Sequence, residues 1–498
     1  MKADEVRRWY TAALEFLRTY RLATTGTSIS QPSRSTAEQR SRDSGRHGNS
    51  SKRVPLSDIA NPSIATSSFT RQSRIVIALC FLVLVLENYD LSMFGGIVPA
   101  LLDYEPWALT PNEVSSMASL GVAGMLVGAL STAALADRFG RRKILIGAIA
   151  TFSVAIGLSA AASTLELFGL MRFAVGIGAG ALTPTATTML VEIAPPGRRN
   201  LATALGFAGL GVGGITAGLL AAWLVPHFGF RSMCVTGFLP ALVVLPLALR
   251  FLPESPAFAA PHSEPLAPGV IAPETVSSLA ASLGARIRAV FGAGRAAGTV
   301  LFWMTTFCCM LVGFGASTWL PALLHSAAYG IGSSLLVLSA LNIGTVAGPL
   351  ALSPLADRFG PKPVVAGAFC AAALAVFALC AQPPIAVVYV LAGLIGVGST
   401  GNQTMINSYV GFYYPAPVRA TGLGLSMGIG RFGGVVGPLY LSMLITAGLG
   451  FNGKFLALAA PTLFAVVLVA LIPAQPNQKS TSSSAPRPTA TDSFDQKA

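Results

Sequence analysis

Charge is scarce in this sequence. Only 11% of its 498 residues are Asp, Glu, Lys or Arg, against about 25% in soluble domains. That scarcity excludes an ordinary water-soluble globular chain. Metal-spaced cysteine is lacking too. Cys80, Cys234, Cys308, Cys309, Cys370 and Cys380 fall in or beside apolar runs and read as small apolar filler, so no metal is expected. No strand or βαβ unit precedes Gly176-Ile177-Gly178-Ala179-Gly180, so that run is not a nucleotide loop. The N-terminal stretch holds no signal-peptide h-region. Nothing in the sequence points to ATP hydrolysis, covalent chemistry or a cofactor, and no enzymatic activity is expected.

Apolar residues dominate instead, at 53% hydrophobic and a mean hydropathy of +0.65. Twelve apolar stretches are each near the ~20 residues that cross a bilayer. They lie at 75–102, 112–136, 144–163, 165–194, 200–226 and 232–252, then at 298–325, 331–356, 363–382, 384–411, 419–446 and 452–473. The expected organisation is an N-terminal cytoplasmic tail, 1–73, followed by a six-helix half, 74–252. A central cytoplasmic segment, 253–297, a second six-helix half, 298–473, and a polar C-terminal tail, 474–498, complete it. Residues 1–22 could form a short helix; the rest of the N-terminal tail and the C-terminal tail read as disordered. A gene-model extension and a membrane-surface helix are the alternatives for the N-terminal tail.

The net charge of +13 could suggest nucleic acid. The basic residues, however, gather in the N-terminal tail and in alternate loops, as the positive-inside rule requires. Arg138, Arg141, Arg142 and Lys143 sit between spans 2 and 3, and Arg198 and Arg199 between spans 4 and 5. Arg358 and Lys362 sit between spans 8 and 9, and Arg419 between spans 10 and 11. Asp103, Glu105 and Glu113 mark the opposite side, with Arg231 and Lys454 against the trend. Both termini and the central segment are therefore expected in the cytoplasm of a cell whose inner membrane holds the chain. The lipid bilayer, not nucleic acid, is the expected surroundings, and a monomer the expected working unit.

One hexapeptide occurs twice. Leu135-Ala136-Asp137-Arg138-Phe139-Gly140 returns as Leu355-Ala356-Asp357-Arg358-Phe359-Gly360, 220 residues later. Gly128 and Gly348, Gly176 and Gly396, Arg199 and Arg419, and Gly213-Gly214 and Gly433-Gly434 share that offset. The chain is thus two copies of one membrane unit. Asp137, Arg138, Arg141 and Arg142, with Glu192 and Arg199, read as a charge cluster that gates the inner side; Asp357, Arg358 and Arg419 are the second copy's share. The pairs Gly209/Gly213, Gly214/Gly218, Gly424/Gly428 and Gly430/Gly434 read as helix-packing faces.

An unpaired charge at mid-bilayer costs at least about 2.5–3.5 kcal/mol, so ionisable residues within the spans carry function by default. Span 1 holds Glu87 and Asp90, three residues apart on one helix face. Span 4 holds Arg172 and span 11 holds Arg431, whose repeat partners are Ala392 and Gly211. Charge added to one half only suits an asymmetric substrate site. Structural pairing of Arg172 with a span-1 carboxylate is the competing reading. Asn402, Gln403, Asn407 and Tyr409 in span 10 and Asn342 in span 8 offer neutral hydrogen bonds. Tyr89, Trp319, Phe307 and Phe314 offer aromatic surface, which in a membrane span more often packs or faces lipid.

The duplication and its charged turn resemble the major facilitator superfamily, which implies an all-α fold of twelve transmembrane helices in two six-helix repeats. Glu87-Asn88-Tyr89-Asp90 resembles the span-1 motif of its aromatic acid:proton symporter family, with Glu and Asn where the family has Asp and Gly. Gly398-Ser399-Thr400-Gly401-Asn402-Gln403, Tyr414-Pro415, Arg419-Ala420-Thr421-Gly422, Gly430-Arg431-Phe432-Gly433 and Gly437-Pro438 are similar to its spans 10 and 11, and Ser317-Thr318-Trp319-Leu320-Pro321 to its span 7. The resemblance covers residues 74–473. It implies a secondary transporter that takes up a small organic anion, an aromatic carboxylate such as a hydroxybenzoate, together with protons. Asp90 and Glu87 would carry the proton. Arg431 and Arg172 would bind the carboxylate, with Asn402, Gln403, Asn342, Tyr89 and Trp319 around it. A carrier of a non-aromatic acid, an exporter, and a sensor that binds without transport are the alternatives.

Overall fold

Helix start signals on this chain are few and short, because its turns are short. Thr70 caps the first helix through Ser73 N (3.1 Å). Thr110 and Glu113 form a reciprocal capping box ahead of the second, with Pro111 in its first turn. Thr164 caps the fourth through Leu167 N (3.3 Å). The computed structural model of the chain describes residues 69–195, 198–254 and 284–473, apart from 286 and 293. The expected C-terminal tail, most of the N-terminal tail and most of the central segment lie outside those residues.

Twelve described helices are long and apolar enough to cross a membrane. They are α1 Arg71–Leu102, α2 Pro111–Phe139, α3 Arg141–Ala161, α4 Leu165–Ile193, α5 Arg199–Phe228 and α6 Arg231–Phe251. The second set is α7 Ala296–Ser326, α8 Ile331–Phe359, α9 Pro361–Leu379, α10 Ile385–Tyr413, α11 Ala416–Thr446 and α12 Phe451–Leu471. Each agrees with an expected span to within a few residues at most ends.

Two features depart from the sequence reading. The repeated hexapeptide is not a loop. Its first five residues form the last turn of α2 and of α8, and a single glycine makes the corner. Gly140 (φ +86°) and Gly360 (φ +87°) adopt the left-handed region that a side chain disfavours. Second, α10 is broken. A π-turn at Val397–Gly401, with Ser399 off helical geometry, separates Ile385–Gly396 from Asn402–Tyr413. Such turns insert a residue and rotate the rest of the helix about its axis.

The packing repeats as the sequence does. In the first half α1 lies on α5, α2 on α4 and α3 on α6; in the second α7 lies on α11, α8 on α10 and α9 on α12. The halves meet through α2 on α11 and α5 on α8, which exchange under the repeat, and through α1 on α7. Small residues allow the closest approaches: a methyl at Gly180 would collide with the Met125 carbonyl, and one at Gly213 with that of Val85. Gly424 and Gly428 are the exception to the packing expected of them. A methyl on either would meet nothing within 4 Å.

The hydrogen bonds between the halves given for the described residues sit at mid-bundle or toward the end away from the basic turns. Ser115 Oγ donates to Pro438 O (2.8 Å) and Ser119 Oγ to Val435 O (2.7 Å). Trp319 Nε1 donates to Ser115 Oγ (2.9 Å), and Ser339 Oγ to Ile215 O (2.8 Å). Asn342 Nδ2 donates to Ser92 Oγ (3.1 Å), while its Oδ1 accepts from Asn88 Nδ2 (3.2 Å). Gly424 and Gly428 belong to the other end of α11, nearer the basic turns.

Candidate functional site

The two intramembrane arginines have different surroundings. Arg172, on α4, binds Asp90 of α1 through both carboxylate oxygens, Nη1 to Oδ1 at 2.6 Å and Nη2 to Oδ2 at 3.1 Å. Both side chains are 3% exposed. The guanidinium also lies 5.0 Å from the centre of the Phe94 ring. Such a pair satisfies both charges in a medium where either alone would be costly. Structural pairing, the competing reading of Arg172, is the geometry found.

Arg431, on α11, has no ion-pair partner within 4.0 Å among the described residues. It lines a cavity of about 190 Å³ between the halves, with Val122 and Met125 of α2, Thr306, Met310 and Phe314 of α7, Gln403 of α10 and Met427 of α11. A dry cavity of about 150 Å³ accommodates benzene, so this one has room for a single ring and a carboxylate. Methionine and phenylalanine walls suit an aromatic face. Beside it, a space of about 20 Å³ touches Asp90, Arg172, Val122, Met125 and Phe314, enough for about one water. The carboxylate–guanidinium pair therefore adjoins the cavity through three shared wall residues.

Glu87 is buried on α1 and meets the Thr183 hydroxyl at 2.6 Å from each oxygen. It feels the charge of Arg431 without forming an ion pair with it. Gln403 donates from Nε2 to Asn407 Oδ1 (2.8 Å), and its Oε1 is buried without a partner.

The other sequence candidates lie elsewhere. Tyr89 donates to Met233 O (3.0 Å) and packs toward α6. Trp319 and Asn342 join the halves through their hydrogen bonds to Ser115 and Ser92. Asn402 is fully buried and donates to Val365 O (3.1 Å) on α9. None of these four lines the cavity around Arg431.

Of the gating candidates, Arg141 pairs with Glu192 at 3.3 Å. Arg142 donates to Leu249 O (2.8 Å) at the end of α6, and its backbone N–H to Glu254 (3.2 Å). Its repeat mate Lys362 does the same on α12, through Ala470 O and Ile472 O (2.8 and 2.7 Å). Arg138 and Arg358 lie over Phe139 and Phe359. Asp357 and Arg199 are exposed, and Arg419 donates to Tyr414 O (3.3 Å). The Asp137 side chain lies outside what the structure describes. These described contacts stay within their own half.

Sequence reasoning missed Thr183, Asn88, Ser115 and the methionines of the cavity wall. Thr183 carried one usable signal: it is the repeat mate of Gln403, so both copies place a polar side chain at that level.

Residues 80–348 and 328–494 match the family model of the Major Facilitator Superfamily. The chain is 32% identical to a gallate transporter of Pseudomonas putida, over 79% of this chain and 90% of that one. It is 30% identical to a benzoate transport protein of Acinetobacter baylyi, over 83% and 92%. It is 31% identical to the 4-hydroxybenzoate transporter PcaK of Pseudomonas aeruginosa, over 80% and 92%. Among solved structures, a D-xylose-proton symporter is similar with a TM-score of 0.65 at 18% identity, over 81% of this chain and 98% of that one. The nucleoside transporter NupG is similar with a TM-score of 0.64 at 15% identity, over 81% and 100%. The solved structures speak for the fold alone. The repeat, the twelve helices and these matches lead to one conclusion: the chain belongs to the major facilitator superfamily and, within it, to the aromatic acid transporters.

Proposed function

We propose that this protein is a proton-coupled secondary transporter that takes up a small aromatic carboxylate across a bacterial inner membrane. The observation that carries the reading is the contrast between the two arginines. Arg172 is committed to Asp90, whereas Arg431 holds a guanidinium at the wall of an apolar, ring-sized cavity between the halves. A planar fork on one side and methionine and phenylalanine on the others fit a carboxylate carried on an aromatic ring. Relatives named for gallate, benzoate and 4-hydroxybenzoate support that substrate class.

Asp90 and Glu87 are assigned the proton. A proton on Asp90 would dissolve its pairing with Arg172, next to the space that adjoins the substrate cavity, so protonation and substrate occupancy can influence each other. The charged residues at the basic turns, Asp137, Arg138, Arg141, Arg142, Glu192 and Arg199 with Asp357, Arg358 and Arg419, are assigned to closure of that end. By the positive-inside rule the basic end is cytoplasmic. The described interhalf hydrogen bonds at the far end and the uncovered Gly424/Gly428 face support an inward-facing reading. A monomer is the working unit assigned to the protein.

Uptake into vesicles with an imposed pH gradient tests the reading. Labelled 4-hydroxybenzoate or benzoate should accumulate above equilibrium, and a protonophore should abolish the accumulation. Binding without accumulation would identify a sensor; accumulation unaffected by the protonophore would remove the proton.

A further inference from the structure

Glu87 and Asp90 are neighbours on α1, yet their partners differ in kind. Asp90 is held by a guanidinium, which offers donors only. That partner fits a charged carboxylate and not a protonated one. Glu87, equally buried, is held by the Thr183 hydroxyl, 2.6 Å from each of its oxygens. A hydroxyl both donates and accepts. It serves a carboxylate as donor and, with its O–H rotated, a carboxylic acid as acceptor. Thr183 also differs from the threonines around it. The hydroxyls of Thr185, Thr187 and Thr188 donate to their own helix, at the carbonyls of Ala181, Thr183 and Pro184 (2.7, 2.7 and 2.9 Å). That of Thr183 crosses to α1 instead.

Few other groups act on Glu87. Arg431 of α11 reaches it by charge alone, and Asp90, one turn further along α1, is matched by Arg172 of α4. The other helices packed on α1 are α2, α5, α6, α7 and α8. They carry Asp, Glu, Lys, Arg or His only within three residues of their ends. We propose that Thr183 is a positioning residue for the coupling proton. Its hydroxyl holds Glu87 in one place in both protonation states, so Glu87 stores a proton while the Asp90–Arg172 pair is the switch that a proton breaks. The inference rests on the assignment of the proton to Asp90 and Glu87. A proton on Asp90 strands a buried guanidinium. A proton on Glu87 adds to one carboxylate oxygen and reverses the direction of one hydrogen bond. Removing the hydroxyl costs the ionised form more than the acid form, because a hydrogen bond to a charge is the stronger. Its loss therefore shows as uptake that persists to higher pH.

The test is the pH profile of labelled 4-hydroxybenzoate or benzoate uptake into vesicles that hold the full chain, with the pH difference across the membrane kept constant. In Thr183→Val, which keeps the shape and loses the hydroxyl, the alkaline edge of the profile should rise by about one pH unit. Thr183→Ala, which removes the hydroxyl without adding bulk, should show the same rise. Thr183→Ser keeps the hydroxyl and should return the edge of the parent. A hydroxyl that served packing alone would leave the edge unmoved in all three, whatever their maximal rates. An edge unmoved in the valine or alanine variant, or moved as far in serine as in valine, would overturn the proposal. Glu87→Gln separates the inference from its basis. It should lose accumulation driven by the gradient; if it keeps it, the assignment of the proton to Glu87 falls. Parent vesicles that accumulate neither acid would remove the transport reading, and this inference with it.

Discussion

Arg172 and Asp90 share two hydrogen bonds across the α1–α4 contact, while Arg431 lines a cavity with no ion-pair partner within 4.0 Å among the described residues. Two guanidiniums in one membrane domain thus have separable consequences. Removing one partner of a buried pair costs about 3–5 kcal/mol, since the other charge is left uncompensated.

Arg172→Ala is therefore expected to lower thermal stability sharply, whereas Arg431→Lys should leave the melting temperature near that of the parent. Lysine keeps the charge at 431 but loses the planar fork, so substrate affinity should fall roughly ten-fold. Melting curves and equilibrium binding on the same preparations check both halves of the statement. Equal stability losses in the two variants would mean that the arginines play one role.

Glycines that look alike in sequence should differ in tolerance. Gly180 faces the Met125 backbone and Gly428 faces open space. Gly180→Val should fail to give folded protein, because backbone cannot yield as a side chain can. Gly428→Val should fold with stability within about 0.5 kcal/mol of the parent, as a surface change does. Yield of monodisperse protein after detergent extraction distinguishes them.

Trp319 and Ser115 close the end away from the basic turns. Trp319→Phe removes the indole donor to Ser115 and Pro438 and should loosen that closure by about 1 kcal/mol, a several-fold population shift. A cysteine placed at Val122 reports it. Labelling by an impermeant maleimide added from that end should rise several-fold in Trp319→Phe over the Trp319 background, and an unchanged rate would show that the tryptophan does not hold the closure.

The halves were legible because a repeated hexapeptide and a constant offset of 220 residues survive in the sequence. The spans were legible because lipid demands long apolar runs. The site was legible only as a set of polar residues at mid-span. Asn342, Asn402 and Gln403 are equivalent by that criterion. Their roles separate on helix rotation, which tertiary packing and the π-turn at Val397–Gly401 determine. Asn342 turned to the other half, Asn402 to α9, and Gln403 to the cavity. The Gly424/Gly428 pair misled for a related reason. Small-xxx-small spacing marks a face that can pack closely, and does not say whether the face is covered in the state observed.

Asp90 should couple the proton. In the structure Asp90 is paired with Arg172 and 3% exposed, beside about 20 Å³ of space that adjoins the larger cavity. A neutral Asp90 would release Arg172 from a bidentate partner beside the cavity. That makes protonation an event the substrate site can sense, and Asp90→Asn mimics it permanently. The amide can still accept from one guanidinium N–H, so the fold should persist at reduced stability. The variant should then keep binding and counterflow exchange, which need no net proton movement, and lose accumulation driven by a pH gradient. Adding Arg172→Gln removes the stranded cation. It should recover stability lost in Asp90→Asn by about 1 kcal/mol, without recovering accumulation. Uptake with and without an imposed gradient, beside exchange in the same vesicles, reads both properties. If Asp90→Asn still accumulates substrate in response to the gradient, the proton travels on another group. Glu87, held by Thr183 and within the field of Arg431, is the next residue to neutralise.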